Sequence, residues 1–259
     1  MRILHTLVIA LTALGAVSCA NDEKELFSLP AAERIDQVVK KDRAALEASP
    51  NGWKFDYFLG RSYSGPGVAM MVTFRNGKAT MASDASDTAV FYTADYDVVK
   101  DQGPVLTFNT FLAPIHSLAG GMASFPEGRQ GDYEFSILST SADTIRLRGK
   151  KWGNEMMLTR NPIGLKQDSV IMGAIKMREN MITDSIYLCH GKDTIPGAAF
   201  DLDNRHFDIH GAVQLSSPMV FSPKGFTLAQ PLHYKDQVYS DFTWNDSART
   251  FSSADMTIS

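Results

Sequence analysis

The sequence predicts a mainly β fold with a few helices (α+β), built as two antiparallel β-meander or small barrel-like units, each preceded by a helix. Three observations carry this. From Trp53 onward, apolar residues recur with a period of two in short runs separated by turn residues. Two stretches with a period near 3.6, around residues 30–48 and 168–182, stand apart from those runs. Asn161-Pro162-Ile163-Gly164 falls between the first set of runs and the second helical stretch, and marks the boundary between a unit at 29–161 and a unit at 162–259.

The N-terminus reads as targeting sequence. Arg2 precedes a short apolar run, Ile3 to Val17, which ends in small residues; it is expected to be a signal peptide over 1–18 and is too short for a spanning helix. Ala16-Val17-Ser18 fits an ordinary signal peptidase site and Leu14-Gly15-Ala16-Val17-Ser18-Cys19 a lipoprotein site. Both cut at the same bond, so Cys19 is expected to become the first residue, and to carry a lipid, because an unpaired exposed thiol is otherwise a liability in an oxidising compartment. Several acyl chains, at about 0.8 kcal/mol per buried methylene, anchor durably. Residues 19–28 then form the lipidated end and an acidic tether. Acidic residues just after such a cysteine resemble the export signal that sends Bacteroidota lipoproteins to the outer face of the outer membrane. The expected location is the outer membrane, lipid-anchored, at the cell surface. Cys189, the other cysteine, is left without a disulfide partner and is expected to be a buried apolar residue on a strand.

The first helix is expected between Pro30, which suits a first turn, and the stop Ser49-Pro50-Asn51-Gly52. Strands are expected near Trp53–Tyr57, Val68–Phe74, Lys78–Met81, Val90–Val99, Val105–Phe108, Asp132–Ile137, Thr144–Arg148 and Met156–Thr159. Asn76-Gly77 supplies a type I′ hairpin turn. The second helix follows Asp168 or Ser169, with Val170, Ile171, Ala174, Ile175, Met181 and Ile182 on its apolar stripe. Strands resume at Ser185–His190, Phe200–Leu202, His206–His210, Met219–Phe221, Phe226–Leu228, Val238–Trp244 and from Thr250. The two halves share this order, which suggests a diverged duplication.

With 25 basic and 29 acidic residues the net charge is −4, and no basic block is present, which argues against nucleic acid. The chain carries no His-Glu-x-x-His, no phosphate-cradling glycine loop and no Gly-x-Ser-x-Gly. The densest polar cluster is Asp201, Asp203, Asn204, Arg205, His206, Asp208 and His210. It lacks the EF-hand pattern and reads as a hairpin whose Phe207 and Ile209 face the core while the polar residues face water. No metal, cofactor or catalytic residue is expected.

Several segments together resemble a known family. They are Gly52-Trp53, Gly103-Pro104-Val105-Leu106-Thr107-Phe108-Asn109-Thr110 with His116 after it, Gly131-Asp132-Tyr133-Glu134-Phe135, Leu147-Arg148-Gly149-Lys150-Lys151-Trp152-Gly153-Asn154, Phe221-Ser222-Pro223-Lys224-Gly225-Phe226 and Gln230-Pro231-Leu232. The chain resembles bacterial lipoproteins grouped as domain of unknown function 4302. That resemblance implies a surface-type lipoprotein and brings no activity.

Two ligand-binding candidates remain. Trp152 sits in a glycine-flanked, lysine-rich turn and is expected to be the most exposed large aromatic; Trp53 is expected to plug the first sheet. His116 follows Pro114 and precedes Gly120-Gly121. The expected function is a non-enzymatic binding or accessory protein, capturing extracellular glycan or another nutrient polymer, or serving an outer-membrane uptake complex. The alternatives are an adhesin or envelope assembly partner that binds protein, a hydrolase with dispersed carboxylates, and a barrel holding an apolar ligand.

Overall fold

A computed structural model describes residues 29–121, 123, 126–179, 181 and 185–259. The expected leader, the lipidation site Cys19 and Ile182 lie outside the described residues. Residues 35–259 form one compact unit.

Helix α1 (Ala31–Glu47) leads into eight strands: β1 (Trp53–Phe58), β2 (Gly67–Arg75), β3 (Lys78–Ser83), β4 (Tyr92–Lys100), β5 (Pro104–Phe108), β6 (Glu134–Thr140), β7 (Thr144–Gly149) and β8 (Glu155–Arg160). Each pairs antiparallel with the next, and β8 returns to β1 (Phe55 opposite Leu158), closing a barrel. Asn76 (φ 51°) and Gly77 (φ 73°) form the expected type I′ turn. Eight strands leave an interior that side chains just fill. Here an aromatic ladder fills it: Tyr57 to Phe55 at 5.4 Å, Phe55 to Phe135 at 5.7 Å, Phe108 to Phe135 at 6.4 Å, and Phe74 to Tyr96 at 4.8 Å between ring centres, mostly edge-to-face. The interior is therefore packed, which corrects the reading of a hollow barrel around an apolar ligand.

Because the strands run up and down, the connections between β1 and β2, β3 and β4, β5 and β6, and β7 and β8 share one rim, the upper. Helix α1 crosses the lower rim, where Glu47 accepts from the Tyr96 hydroxyl (2.7 Å), Asp42 accepts from Thr140 (3.0 Å), and Arg43 pairs with Asp97. Trp53 is fully buried there and donates to Leu46 O at 2.8 Å, as the plug reading expects. A short helix for which the sequence analysis gives no element, α2 (Ala113–Ala119), stops the upper rim: Leu112, Ile115 and Leu118 are buried in the barrel core.

Helix α3 (Gln167–Glu179) then leads into β9 (Leu188–His190), β10 (Asp193–Ile195), β11 (Ala198–Asp201), β12 (His206–Ile209), β13 (Leu215–Ser222), β14 (Gly225–Tyr234), β15 (Gln237–Asn245), β16 (Thr250–Ser253) and β17 (Met256–Ile258). The order in this sheet is β10-β9-β17-β16-β15-β14-β13-β12-β11. Its two edges, β10 and β11, are consecutive in the chain and joined only by Pro196-Gly197, so the chain carries the sheet round on itself. Ring contacts agree. Phe200 on β11 lies 6.2 Å from Phe251 on β16, five strands away, where a flat sheet would separate them by about 24 Å. Counting β10–β11 as one bent strand, each half is a helix followed by an eight-stranded meander whose last strand pairs with its first. Cys189 on β9 is half-buried, more open than expected.

The two barrels meet where β13 and α3 cover the outside of β2 and β3. Val170, Ile171 and Ile175 pack on Met71 and Ala82, which face away from the first barrel's interior. Gly67 opens β2 at the crossing, and a Cβ there would overlap the backbone carbonyl of Met219. A buried ion pair pins the crossing. Arg205 Nη1 donates to Asp84 Oδ1 (2.9 Å) and to Gly67 O (3.1 Å), while Asp84 Oδ1 also accepts from Ala69 N–H (3.0 Å). Arg178 Nη1 and Arg205 Nη2 donate to Asp84 O at 2.7 and 3.1 Å.

Asp84 is fully enclosed and Arg205 nearly so. Arg205→Ala leaves a buried carboxylate unpaired and should destabilise the protein by about 3–5 kcal/mol. Converting both partners to apolar residues, Asp84→Leu with Arg205→Met, should recover most of that in denaturant titrations. A single variant that unfolds like the wild type would show that the pair does not hold the crossing.

Candidate functional site

The upper rim gathers the polar side chains that hydrogen bonding in the strands does not use. Asp132, at the end of the loop between α2 and β6, is buried beneath the turn that joins β7 to β8. Its Oδ1 accepts from Lys151 N–H (2.7 Å), and Trp152 N–H approaches both oxygens at 3.3–3.4 Å. Gly149 makes room, since any Cβ would overlap Asp132 Oδ2. The Tyr57 hydroxyl, rising from β1, donates to Asp132 O at 2.8 Å. Two of the segments that carried the family resemblance, around Gly131-Asp132-Tyr133 and Gly149 to Asn154, therefore touch each other. Burial, partly offset by the backbone N–H donors, holds the Asp132 carboxyl above the ordinary carboxylate range.

Asn154, also buried, secures the loop between β1 and β2. Its Nδ2 donates to Phe58 O (3.2 Å) and Gly60 O (2.6 Å), and its Oδ1 accepts from Tyr63 N–H (3.3 Å). That loop is strained: Ser62 and Tyr63 have φ of 54° and 63°, conformations that cost a side-chain-bearing residue about 1–3 kcal/mol each. Three further contacts fix it. Gln130 Oε1 accepts from Arg61 N–H (3.1 Å), Gly60 N–H donates to Gln130 O (3.2 Å), and the His206 ring meets Gly65 O through Nε2 at 3.0 Å.

Next to this loop lies an open cleft of about 900 Å³. Gly60 and Ser64 to Pro66 form one wall, Ser117, Gly120 and Pro126 to Gln130 a second, and the Asp203-Asn204 turn a third. Glu127, Arg129, Gln130, Asp203 and the serines give it a set of hydrogen-bonding groups on a base of small residues. Beside it stands an exposed aromatic stack. The His116 ring lies 5.0 Å from Tyr133 at 25° and 5.5 Å from Phe111 at 37°. Phe111 is 71 % exposed and Tyr133 45 %. Leu112 anchors the ring through its backbone: its N–H lies 3.0 Å and its carbonyl oxygen 3.3 Å from His116 Nδ1.

His116 is thus on α2, half-buried and part of an aromatic surface. Trp152 departs from expectation: it is only 7 % exposed. Its turn folds back over Asp132, and the Lys151 ammonium and Arg61 guanidinium lie 4.8 and 5.6 Å from its ring centre. The Asp201–His210 segment is the expected hairpin, with Asp201 accepting from Asn204 N–H at 3.0 Å and Phe207 and Ile209 buried. His206 and Arg205 do not face water, because the first barrel covers the outer face of β12; His206 also meets Ser216 Oγ through Nδ1 at 3.1 Å. Among the described residues no three His, Cys, Asp or Glu side chains converge to hold a metal. Neither Phe111 nor Tyr133 stands out as a site residue in sequence: Tyr133 falls within the expected strand Asp132–Ile137, and Phe111 follows the strand at Val105–Phe108 with no pattern of its own. The spacing of Pro114, Ile115 and Leu118 was the available signal for α2.

Because the folded chain holds the Asp132 proton more tightly than the unfolded chain, its contribution to stability is greatest at low pH and falls as pH rises from the ordinary carboxylate range through the raised value. Asp132→Asn removes that dependence. Unfolding titrations at pH 3.5 and 7 should show the wild type gaining on the Asn variant as pH falls; a gap that does not change with pH would refute the assignment.

Among the described residues no helix is long and apolar enough to cross a membrane. Searches of curated proteins and of solved structures returned no match. A family profile spans α1, the whole first barrel and most of the second, including every residue of the rim just described. Its match to residues 23–246 shows that the chain belongs to the family described as Domain of unknown function (DUF4302).

Proposed function

We propose that this is a surface-anchored outer-membrane lipoprotein of the Bacteroidota type that captures extracellular glycan at the upper rim of its first barrel, as a binding or accessory protein of nutrient uptake. The observation that carries the reading is the exposed Phe111–His116–Tyr133 stack beside a cleft lined with hydrogen-bonding groups. Ligand sites pair apolar, often aromatic, surface with a few placed polar groups. A pyranose offers matching chemistry: an apolar C–H face for the rings and hydroxyls for Gln130, Glu127, Asn204 and the serines. Soluble proteins leave single apolar residues exposed without consequence, but a stacked pair of exposed aromatics bridged by a histidine is a surface with a use.

The anchor fits this arrangement. The chain enters the barrel through α1, whose Asp42, Arg43 and Glu47 grip the lower rim. The grip of α1 on the lower rim leaves the upper rim free to meet polymer.

In affinity electrophoresis against a polysaccharide panel, at least one polymer should retard the soluble protein, and Phe111→Ala or Tyr133→Ala should weaken that binding about tenfold or more, the scale of a truncated anchor residue. No retardation by any polymer would overturn the glycan reading. Measurable turnover abolished by Glu127→Gln or Asp203→Asn would replace it with a hydrolase.

Protease too large to enter intact cells should digest the protein, followed by immunoblot. Survival until lysis would place it in the periplasm and rule out capture at the surface.

A further inference from the structure

Trp152 presents a chemical problem that the fold does not solve. Its indole Nε1–H is enclosed and has no hydrogen-bond partner among the described residues. A buried donor left unpaired costs about 1–3 kcal/mol, and native structures keep few of them. Two cations lie over the same ring, Lys151 Nζ at 4.8 Å and the Arg61 guanidinium at 5.6 Å from its centre. Both residues are exposed, and neither forms an ion pair among the described residues. Their neighbours differ: Lys150 pairs with Asp101, and Arg146 and Arg148 share Glu155.

The carboxylate beneath this turn, Asp132, is already committed. It is buried below the turn and takes the backbone N–H groups of Lys151 and Trp152. Above it converge groups that can only donate: an exposed guanidinium fork, an exposed ammonium and the enclosed indole N–H of the ring they cover. The strained loop between β1 and β2 holds the first of these in place, with Ser62 and Tyr63 at positive φ on one side of Arg61 and the cleft residue Gly60 on the other. Strain of this kind collects where a loop is shaped for a ligand.

We propose that Arg61, Lys151 and Trp152 form an anion subsite at the edge of the cleft, which takes the carboxylate of an acidic sugar, so that the captured glycan carries uronate residues. The inference rests on the glycan reading above and names the class of polymer. Arg61 swings from the ring face to meet the carboxylate through its fork, a geometry that suits two coplanar oxygens. Lys151 closes the other side as a point charge. The indole N–H of the ring they leave, enclosed and without a partner among the described residues, is the remaining donor. The aromatic stack and the polar cleft then contact the neighbouring sugars of the chain.

The test uses the soluble protein, leader removed and Cys19→Ser, titrated with trigalacturonate and with its methyl ester, which keeps the sugar rings and removes the charge. The acid should bind about tenfold tighter or more, as expected for charge-assisted hydrogen bonds, and the advantage should shrink as salt rises. Arg61→Gln and Lys151→Gln should each remove most of the advantage while leaving binding of the ester unchanged. In the ¹⁵N-labelled protein the Trp152 indole N–H signal should shift with the acid and not with the ester. Trp152→Phe, which keeps the ring, identifies that signal by its loss.

Equal binding of acid and ester, with Phe111→Ala still abolishing both, would overturn the anion subsite and leave the glycan reading standing. A sulfated polymer that binds through Arg61 and Lys151 while trigalacturonate does not would overturn the carboxylate assignment. Failure of every polymer in the panel would overturn both readings together.

Discussion

A closed barrel pairs every strand with two neighbours and leaves its unmatched backbone groups at the rims. The upper rim of the first barrel depends on how those groups are satisfied. Asn154 does it for the loop between β1 and β2, meeting Phe58 O, Gly60 O and Tyr63 N–H with one buried amide. Asp132 does it for the turn between β7 and β8, and the Tyr57 hydroxyl, donating to Asp132 O, ties Asp132 itself to β1 from inside the core. Buried backbone groups must find partners. Two side chains meeting five such groups account for why the rim can hold a strained loop and still be well defined. The cleft, the aromatic stack and the Trp152 turn all take their positions from this frame.

The second barrel braces the same rim from outside. Its hairpin turn between β11 and β12 sends His206 to Gly65 O and Arg205 to Asp84 and Gly67 O. Asp203 and Asn204, in that turn, also complete the cleft wall. The bond that joins the barrels and the residues that shape the cleft are thus consecutive in the chain. Desolvation of Asp84 opposes the pairing with Arg205 and raises its carboxyl, so the join gives geometry more than stability.

The fold class was legible in the sequence. Alternation from Trp53 onward, the Asn76-Gly77 turn and the two helical stripes place most strands and both long helices, because those patterns reflect a one-sided core. Closure was not legible. Pairing of β8 with β1, and the bend at Pro196-Gly197 that rolls the second sheet, are long-range outcomes without a local pattern. Helix α3 begins at Gln167 with Asp168 in its first turn, a shift at the scale by which helix ends ordinarily vary. The site was half legible. His116 was singled out, and the structure stacks it between two exposed rings. Trp152 was singled out for exposure and is buried, because glycine flanks and lysines describe a turn equally well whether it stands out or folds down over a carboxylate. His206 defeated the alternation rule because its strand has protein on both faces.

The central claim is that the upper rim of the first barrel is the face that binds. It is tested most directly by mapping amide shifts in the ¹⁵N-labelled protein as a bound oligosaccharide is added. The account predicts shifts concentrated in residues 59–66, 109–121, 126–133, 150–154 and 203–206, with the lower-rim turns at 76–77 and 141–143 unmoved. Shifts centred on the lower rim or on the far end of the second barrel would contradict it.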